Sequence, residues 1–245
     1  MGNPIIELRD TAFTAQNKTI VRGINLALNQ GQTCALIGPS GGGKSTVLKL
    51  AAGLILPTAG EAYFNGQGIS TMTRQQTLVF RKEAAFVFQD SALWANQNIR
   101  QILELPLKIH FPSISQRERT QRIVEILALV GYKRDLDIRP AALSMGEQKL
   151  IAFARALTCD PSLLYLDEWT ESLDDTSARR MVRLVKKRQE AGHTIVFVSH
   201  NLAVIKELAQ RICMIVDGRL ALDISGEELA NNDNLSRMIE KGIAE

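Results

Sequence analysis

The sequence predicts an α/β protein with a mainly parallel core sheet, an antiparallel β subdomain and an inserted helical subdomain. Three observations carry that expectation. Short apolar runs recur at residues 34–37, 85–88, 163–166 and 194–199. Stretches of helical period separate them, so strands alternate with helices, as in a sheet whose crossovers are helical. The first run passes directly into a glycine-dense loop and then a helical pattern, the strand–loop–helix order of a phosphate-binding unit.

Each element has its own signal. Ile20, Ile24, Leu26 and Leu28 share one parity, broken by Arg22, which reads as a half-buried strand over 20–28. Gly31-Gln32 turns the chain into the buried run 34–37. After the glycines, Val47, Leu48, Leu50 and Ala51 recur at helical spacing, and Pro57 and Gly60 close the unit. Tyr63-Phe64-Asn65-Gly66 carries an Asn-Gly hairpin signal. The strand 85–88 stops at Gln89. Residues 95–158 read as mostly helical, with Ile123, Ile126, Leu127 and Val130 on one face and Gly131 as a stop. A later helix turns Met181, Val182, Leu184 and Val185 inward. Arg179, Arg180, Arg183, Lys186, Lys187 and Arg188 fall mostly on its other side and read as a solvated face. Residues 211–216, the turn Asp217-Gly218 and residues 219–222 form a final hairpin.

Composition sets outer bounds. The chain has 245 residues, 45% hydrophobic and 22% charged, which argues for a globular protein and against disorder. Its 29 basic and 26 acidic residues leave a net charge of +3, too weak to imply a nucleic-acid partner. Cys34, Cys159 and Cys213 lack metal spacing and read as reduced thiols. No apolar run reaches the ~18–20 residues of a membrane span. The N-terminus lacks the basic start and apolar stretch of a signal peptide, and Ile6 stands where N-myristoylation wants Ser or Thr. Membrane association is expected only through a partner.

Two motifs carry chemistry. Gly38-Pro39-Ser40-Gly41-Gly42-Gly43-Lys44-Ser45, followed by Thr46, satisfies the pattern G-x-x-x-x-G-K-[ST] between strand and helix. Glycines let backbone N–H groups converge on phosphate oxygens, and the helix start adds partial positive charge. Lys44 is placed to reach the β- and γ-phosphates and Ser45 to bind Mg²⁺. The apolar strand 163–166 ends in Asp167-Glu168. A parallel sheet delivers such an end to the same edge as the phosphate loop. Asp167 can then hold Mg²⁺, and Glu168 can polarise the water that attacks the γ-phosphate.

With these motifs in place, the chain resembles over nearly its full length the nucleotide-binding subunit of ABC transporters. Leu143-Ser144-Met145-Gly146-Glu147-Gln148 is similar to the family signature Leu-Ser-Gly-Gly-Gln, and Ser144 with Glu147 fits a capping box. The resemblance implies ATP and Mg²⁺ as ligands. It implies that Gln89 senses Mg²⁺ and the attacking water, and that His200 contacts the γ-phosphate. It implies that Ser144, Gly146 and Glu147 face the nucleotide of a second subunit, and that Asp174, in Ser172-Leu173-Asp174, lies in a loop crossing the dimer interface. Phe13 stands where the family places an aromatic that stacks on adenine; a core or surface Phe is the other reading.

The family layout places a nucleotide-binding core with its β subdomain at 1–89 and 160–225, a helical subdomain at 90–159 and a C-terminal tail at 226–245. That tail reads either as an end-helix on its own domain or as a segment packing on the second subunit. A separate transmembrane permease is implied, with the chain peripheral on the cytoplasmic side of the inner membrane. Three departures bear on hydrolysis. Met145 replaces a glycine, Glu147 replaces glutamine and adds negative charge, and Trp169 replaces the proline that usually follows the glutamate. Rival readings are a soluble ABC ATPase unconnected with transport and a non-hydrolysing regulatory subunit. A GTPase is disfavoured because no Asn-Lys-x-Asp follows the phosphate loop. Trp94, beyond Gln89, reads equally as core or as an anchor for a partner helix. Phe88-Gln89-Asp90-Ser91-Ala92-Leu93-Trp94, continuing to Leu105-Pro106-Leu107, resembles Mla-type lipid transport ATPases, which would imply lipid cargo and a Mce-domain partner.

Overall fold

The computed structural model describes residues 4–231. In chain order, β1 (Ile6–Ala15), β2 (Lys18–Leu28) and β3 (Thr33–Ile37) precede helix α1 (Lys44–Ala51). Strands β4 (Ala59–Phe64) and β5 (Gln67–Gly68), helix α2 (Arg74–Glu83) and strand β6 (Ala84–Val87) follow. Three helices come next: α3 (Ile99–His110), α4 (Gln116–Val130) and α5 (Met145–Leu157). The chain then alternates through β7 (Leu163–Asp167), α6 (Asp175–Glu190), β8 (Thr194–Val198) and α7 (Leu202–Leu208). It ends its described part with β9 (Arg211–Val216), β10 (Arg219–Ser225) and α8 (Gly226–Ala230).

The runs that are apolar throughout become the interior of a six-stranded sheet, ordered β10-β9-β3-β8-β7-β6. Strands β6, β7, β8, β3 and β9 are parallel, and β10 is antiparallel at one edge. Strands β3, β7 and β8 are buried at every residue, because helices or the second sheet cover both faces. The second sheet is antiparallel, ordered β2-β1-β4-β5. Its β4–β5 hairpin turns at Asn65 and Gly66, both with positive φ, as the Asn-Gly signal predicts.

Three features depart from the sequence pattern for identifiable reasons. Strand β1 is missing from it because the alternation fails at Asp10, which takes a φ of 45° where the register with β2 and β4 shifts. In β2 a register shift between Val21 and Ile24 turns Val21, not Ile20, into the core. Helix α2 buries only Phe80, so it has no apolar stripe to read.

Two cores result. One packs α1 between the sheets, and the other packs α3, α4, α5 and α6 around Ile102, Leu103, Ile151 and Val185. Gly131, in the left-handed region, caps α4 as expected. On α6, Met181, Val182 and Val185 are buried while Arg179, Arg183 and Lys187 are exposed. All three cysteines are free, and the buried Cys34 and Cys213 thiols lie 3.6 Å apart on neighbouring strands. No helix among the described residues is long and apolar enough to cross a membrane. Of the tail expected over 226–245, residues beyond 231 lie outside the described part.

Candidate functional site

The carboxyl ends of β3 and β7 lie at one edge of the sheet, two strands apart with β8 between them. This brings the glycine loop against Asp167-Glu168. Gly43, at φ 101°, is the N-cap of α1 and provides no side-chain cap, so the first N–H groups of the helix remain available to an anion. Lys44 is 6% exposed, and its ammonium spans the loop to the carbonyls of Gly38 (2.9 Å) and Pro39 (2.8 Å). Burial lowers its pKa, while Glu168 and Asp167 oppose that shift. Beside the loop runs a groove lined by Gly41, Gly43, Lys44, Ser45 and Thr46, by Ile20 and Arg22 of β2, and by the Asp217–Arg219 turn. Gly218 N–H donates to Gly42 O at 2.9 Å, which locks that turn onto the loop. The sequence marks Asp217-Gly218 as a turn but gives no sign that it walls this groove.

Ser45 Oγ donates to Asp167 Oδ1 at 2.8 Å. A hydroxyl and a carboxylate so placed form the hard-oxygen pair that suits Mg²⁺. Asp167 is 2% exposed and burial raises its pKa, so a cation there would compensate a carboxylate that now lacks enough countercharge. The residues therefore fit the metal expected from the sequence.

Glu168 follows directly, with its backbone at φ 43°. Its pKa is pushed up to about 7, first by burial and then by Glu171 and Asp167. His200, at the end of β8, places Nε2 3.0 Å from Glu168 Oε1. An acid poised near neutrality beside an imidazole suits proton abstraction from water. Trp169 points the other way. It is fully buried and stacks on Phe153 of α5 with ring centroids 6.0 Å apart, so it anchors the glutamate's backbone to that helix.

The remaining expected residues are placed less uniformly. Gln89 is exposed, and its Nε2 donates to Glu171 Oε2 at 3.1 Å. Ser144 caps α5 through the expected box, with Glu147 N–H donating to Ser144 Oγ at 3.2 Å and Ser144 N–H to Glu147 Oε2 at 2.8 Å. Gly146 has a local reason to be glycine: a Cβ there would sit 2.9 Å from Ser172 O. Asp174 caps α6, accepting from the N–H groups of Thr176 and Ser177 and from the Ser177 hydroxyl. Met145 is 71% exposed at the tip of α5 and crowds nothing in its own chain.

Two expected residues are engaged by neighbours in their own chain. Phe13 does not line the groove beside Lys44; it packs half-buried against the core between the sheets, and Ile20 lines the groove instead. Glu147 adds the expected negative charge at the start of α5, and Arg134 Nη1 pairs with its carboxylate at 3.0 and 3.2 Å. Neither Ser144 nor Gly146 lines that groove.

Lys149 is missed by sequence reasoning, since a lysine in a helix reads as solvated. It is 2% exposed, and its ammonium donates to Phe88 O at 3.3 Å and to Gln89 O. Trp94 is 43% exposed, with the Arg155 guanidinium 5.3 Å from its ring centre. It borders a largely apolar groove with Leu54, Phe88, Leu105, Pro106 and Ile109.

A family model described as ABC transporter matches residues 21–171. The nickel import ATP-binding protein NikE of Brucella suis is 37% identical over 231 residues, covering 92% of this chain and 86% of that protein. The protein of the same name from Shigella flexneri is 33% identical over 233 residues, covering 93% and 87%. A dimeric ATP-binding cassette in a post-hydrolysis state, bound to ADP and Pi, superposes with a TM-score of 0.83 at 29% identity, covering 90% of this chain and 98% of that one.

Proposed function

The chain belongs to the ABC transporter family, and on that premise we propose that it is the ATP-hydrolysing subunit that drives a separate membrane permease. Its enzymatic character as an ABC-type ATPase follows from the family match and from the post-hydrolysis relative. The observation that carries the site is the 2.8 Å bond from Ser45 to Asp167, with Lys44 across the loop on one side and the Glu168–His200 pair on the other.

In this reading the free N–H groups at the start of α1 and the Lys44 ammonium hold the β- and γ-phosphates. Ser45 and Asp167 hold Mg²⁺, with Gln89 as a further ligand. When bound, the metal supplies positive charge that neutralises the phosphate oxygens. Glu168 accepts a proton from the attacking water, and His200 steadies that carboxylate and the γ-phosphate end. Ser144 and Gly146 complete the site of a second copy rather than their own, a reading supported by their absence from the groove beside Lys44. The dimeric relative supports a two-fold pair. A non-hydrolysing regulatory role is disfavoured by the intact Glu168–His200 pair.

The apolar groove at Trp94 supports docking of a permease segment on the cytoplasmic side of the inner membrane. The relatives described above are nickel importers by name. They support metal import as the class of transport and lend no support to lipid cargo or a Mce-domain partner. The reading is tested by Lys44→Ala, which should abolish ATP binding and turnover while leaving the circular dichroism spectrum unchanged. Unaltered ATP affinity would overturn it.

A further inference from the structure

Two cations of α5 hold the backbone of the segment that follows β6. Lys149 donates to the carbonyls of Phe88 and Gln89. Six residues further on, Arg155 donates to the carbonyls of Ala92 (2.7 Å) and Ser91 (3.3 Å). Four acceptors within five residues are thus gripped by one helix. The grip holds an unfavourable backbone, because Ser91 and Ala92 take φ values of 64° and 43°, in the left-handed region that non-glycine residues avoid. Burying an ammonium is costly unless it is well partnered. Lys149 has two carbonyls and faces the field of Glu171, Asp167, Asp90 and Glu168. A neutral residue would fill the same space without that cost.

The same helix begins at Ser144 and Gly146. Gln89 is therefore held at its backbone by the signature helix, and at its side chain by Glu171 in the loop after β7. We propose that Lys149 is a positioning residue that ties Gln89 to the helix carrying Ser144 and Gly146, so that the glutamine and the signature end engage nucleotide together. Movement of α5 toward a second copy's nucleotide would draw the Gln89 backbone with it and reset the side chain now held by Glu171. The proposal rests on the reading of Gln89 as a group that acts at the metal and the attacking water.

The test is a double-mutant cycle between Lys149→Met and Gln89→Ala, with Lys149→Arg as the conservative control. Lys149→Met should raise amide hydrogen exchange across residues 88–92 in the nucleotide-free protein, whereas Lys149→Arg should not. It should lower kcat by about 10–100-fold, the usual cost of losing an outer-sphere support. ATP affinity should change by no more than about twofold, as expected when an interaction serves the reaction rather than binding. In the Gln89→Ala background the further loss should vanish. If Gln89→Ala slows turnover but the two losses multiply, the positioning role of Lys149 fails and the reading of Gln89 stands. If Gln89→Ala leaves turnover unchanged, the reading of Gln89 fails and the proposal fails with it. Unchanged exchange at 88–92 in Lys149→Met also overturns the proposal. Should that variant not fold, Lys149→Gln, which keeps a donor without the charge, carries the same cycle.

Discussion

Arg134 Nη1 lies 3.0 Å from Glu147 Oε2, and the same carboxylate oxygen accepts the N–H of Ser144 at 2.8 Å. The acid at the signature end is thus neutralised by one neighbour and turned back onto its own helix by another. Its pKa is lowered, first by the backbone bond from Ser144, so it stays ionised and depends on Arg134 for compensation. Arg134→Ala should lower ATP turnover by about two- to fivefold, in keeping with an exposed pair worth up to ~1 kcal/mol. Glu147→Gln keeps the cap and removes the charge, and should make Arg134→Ala silent. Steady-state ATPase rates of the two single variants and the double variant check this. Equal losses in both backgrounds would show that Arg134 acts elsewhere.

The pH dependence of stability should report on Glu168. Burial raises its pKa from the ordinary 4.5 to about 7, so between those values the folded protein binds more protons than the unfolded chain. The contribution of this group is therefore fully present below about pH 4.5 and is lost as pH rises through about 7. In nucleotide- and magnesium-free protein, Glu168→Gln should melt higher than the parent at about pH 8, and the gap should shrink toward pH 4.5. Thermal melts across that range measure it. A gap that widens on acidification would reverse the sign and place the carboxylate in a stabilising environment.

Trp94 stands exposed beside Leu105, Pro106 and Ile109 and is braced by Arg155. An aromatic anchor at the centre of an interface typically contributes about 2 kcal/mol or more. Trp94→Ala should therefore cut recovery of the chain with permease-containing membranes by about tenfold or more, while ATP binding at Lys44 is unchanged. Co-sedimentation with and without the permease measures it. Undiminished recovery would remove Trp94 from the docking face.

What the sequence makes legible follows from what chemistry tolerates. A loop that must cradle phosphate requires glycines, a lysine and a hydroxyl in fixed order, and a strand that must present acids ends in them; both are visible without coordinates. Strand β1 escapes notice because the irregularity at Asp10 breaks its alternation. Helix α2 escapes because it buries one side chain. Phe13 has a suggestive position, but position along the chain does not fix which way a ring on a bulged strand faces. Lys149 and Arg134 contact residues distant in sequence or on another element, and no local pattern encodes those contacts.

Glu168 is proposed to remove a proton from water in a site closed by a second copy, and Glu168→Gln isolates that role. The substitution keeps the shape and hydrogen-bonding capacity of the side chain and removes its basicity. Loss of a general base typically costs about 10²–10⁴-fold in rate. Size-exclusion chromatography with ATP and Mg²⁺, run beside phosphate release, should show Glu168→Gln accumulating as an ATP-bound dimer with almost no turnover, while the parent hydrolyses ATP and dimerises only transiently. A variant that remains monomeric with ATP, or that releases phosphate at the parent's rate, would show that Glu168 is not the base of a site shared between two copies.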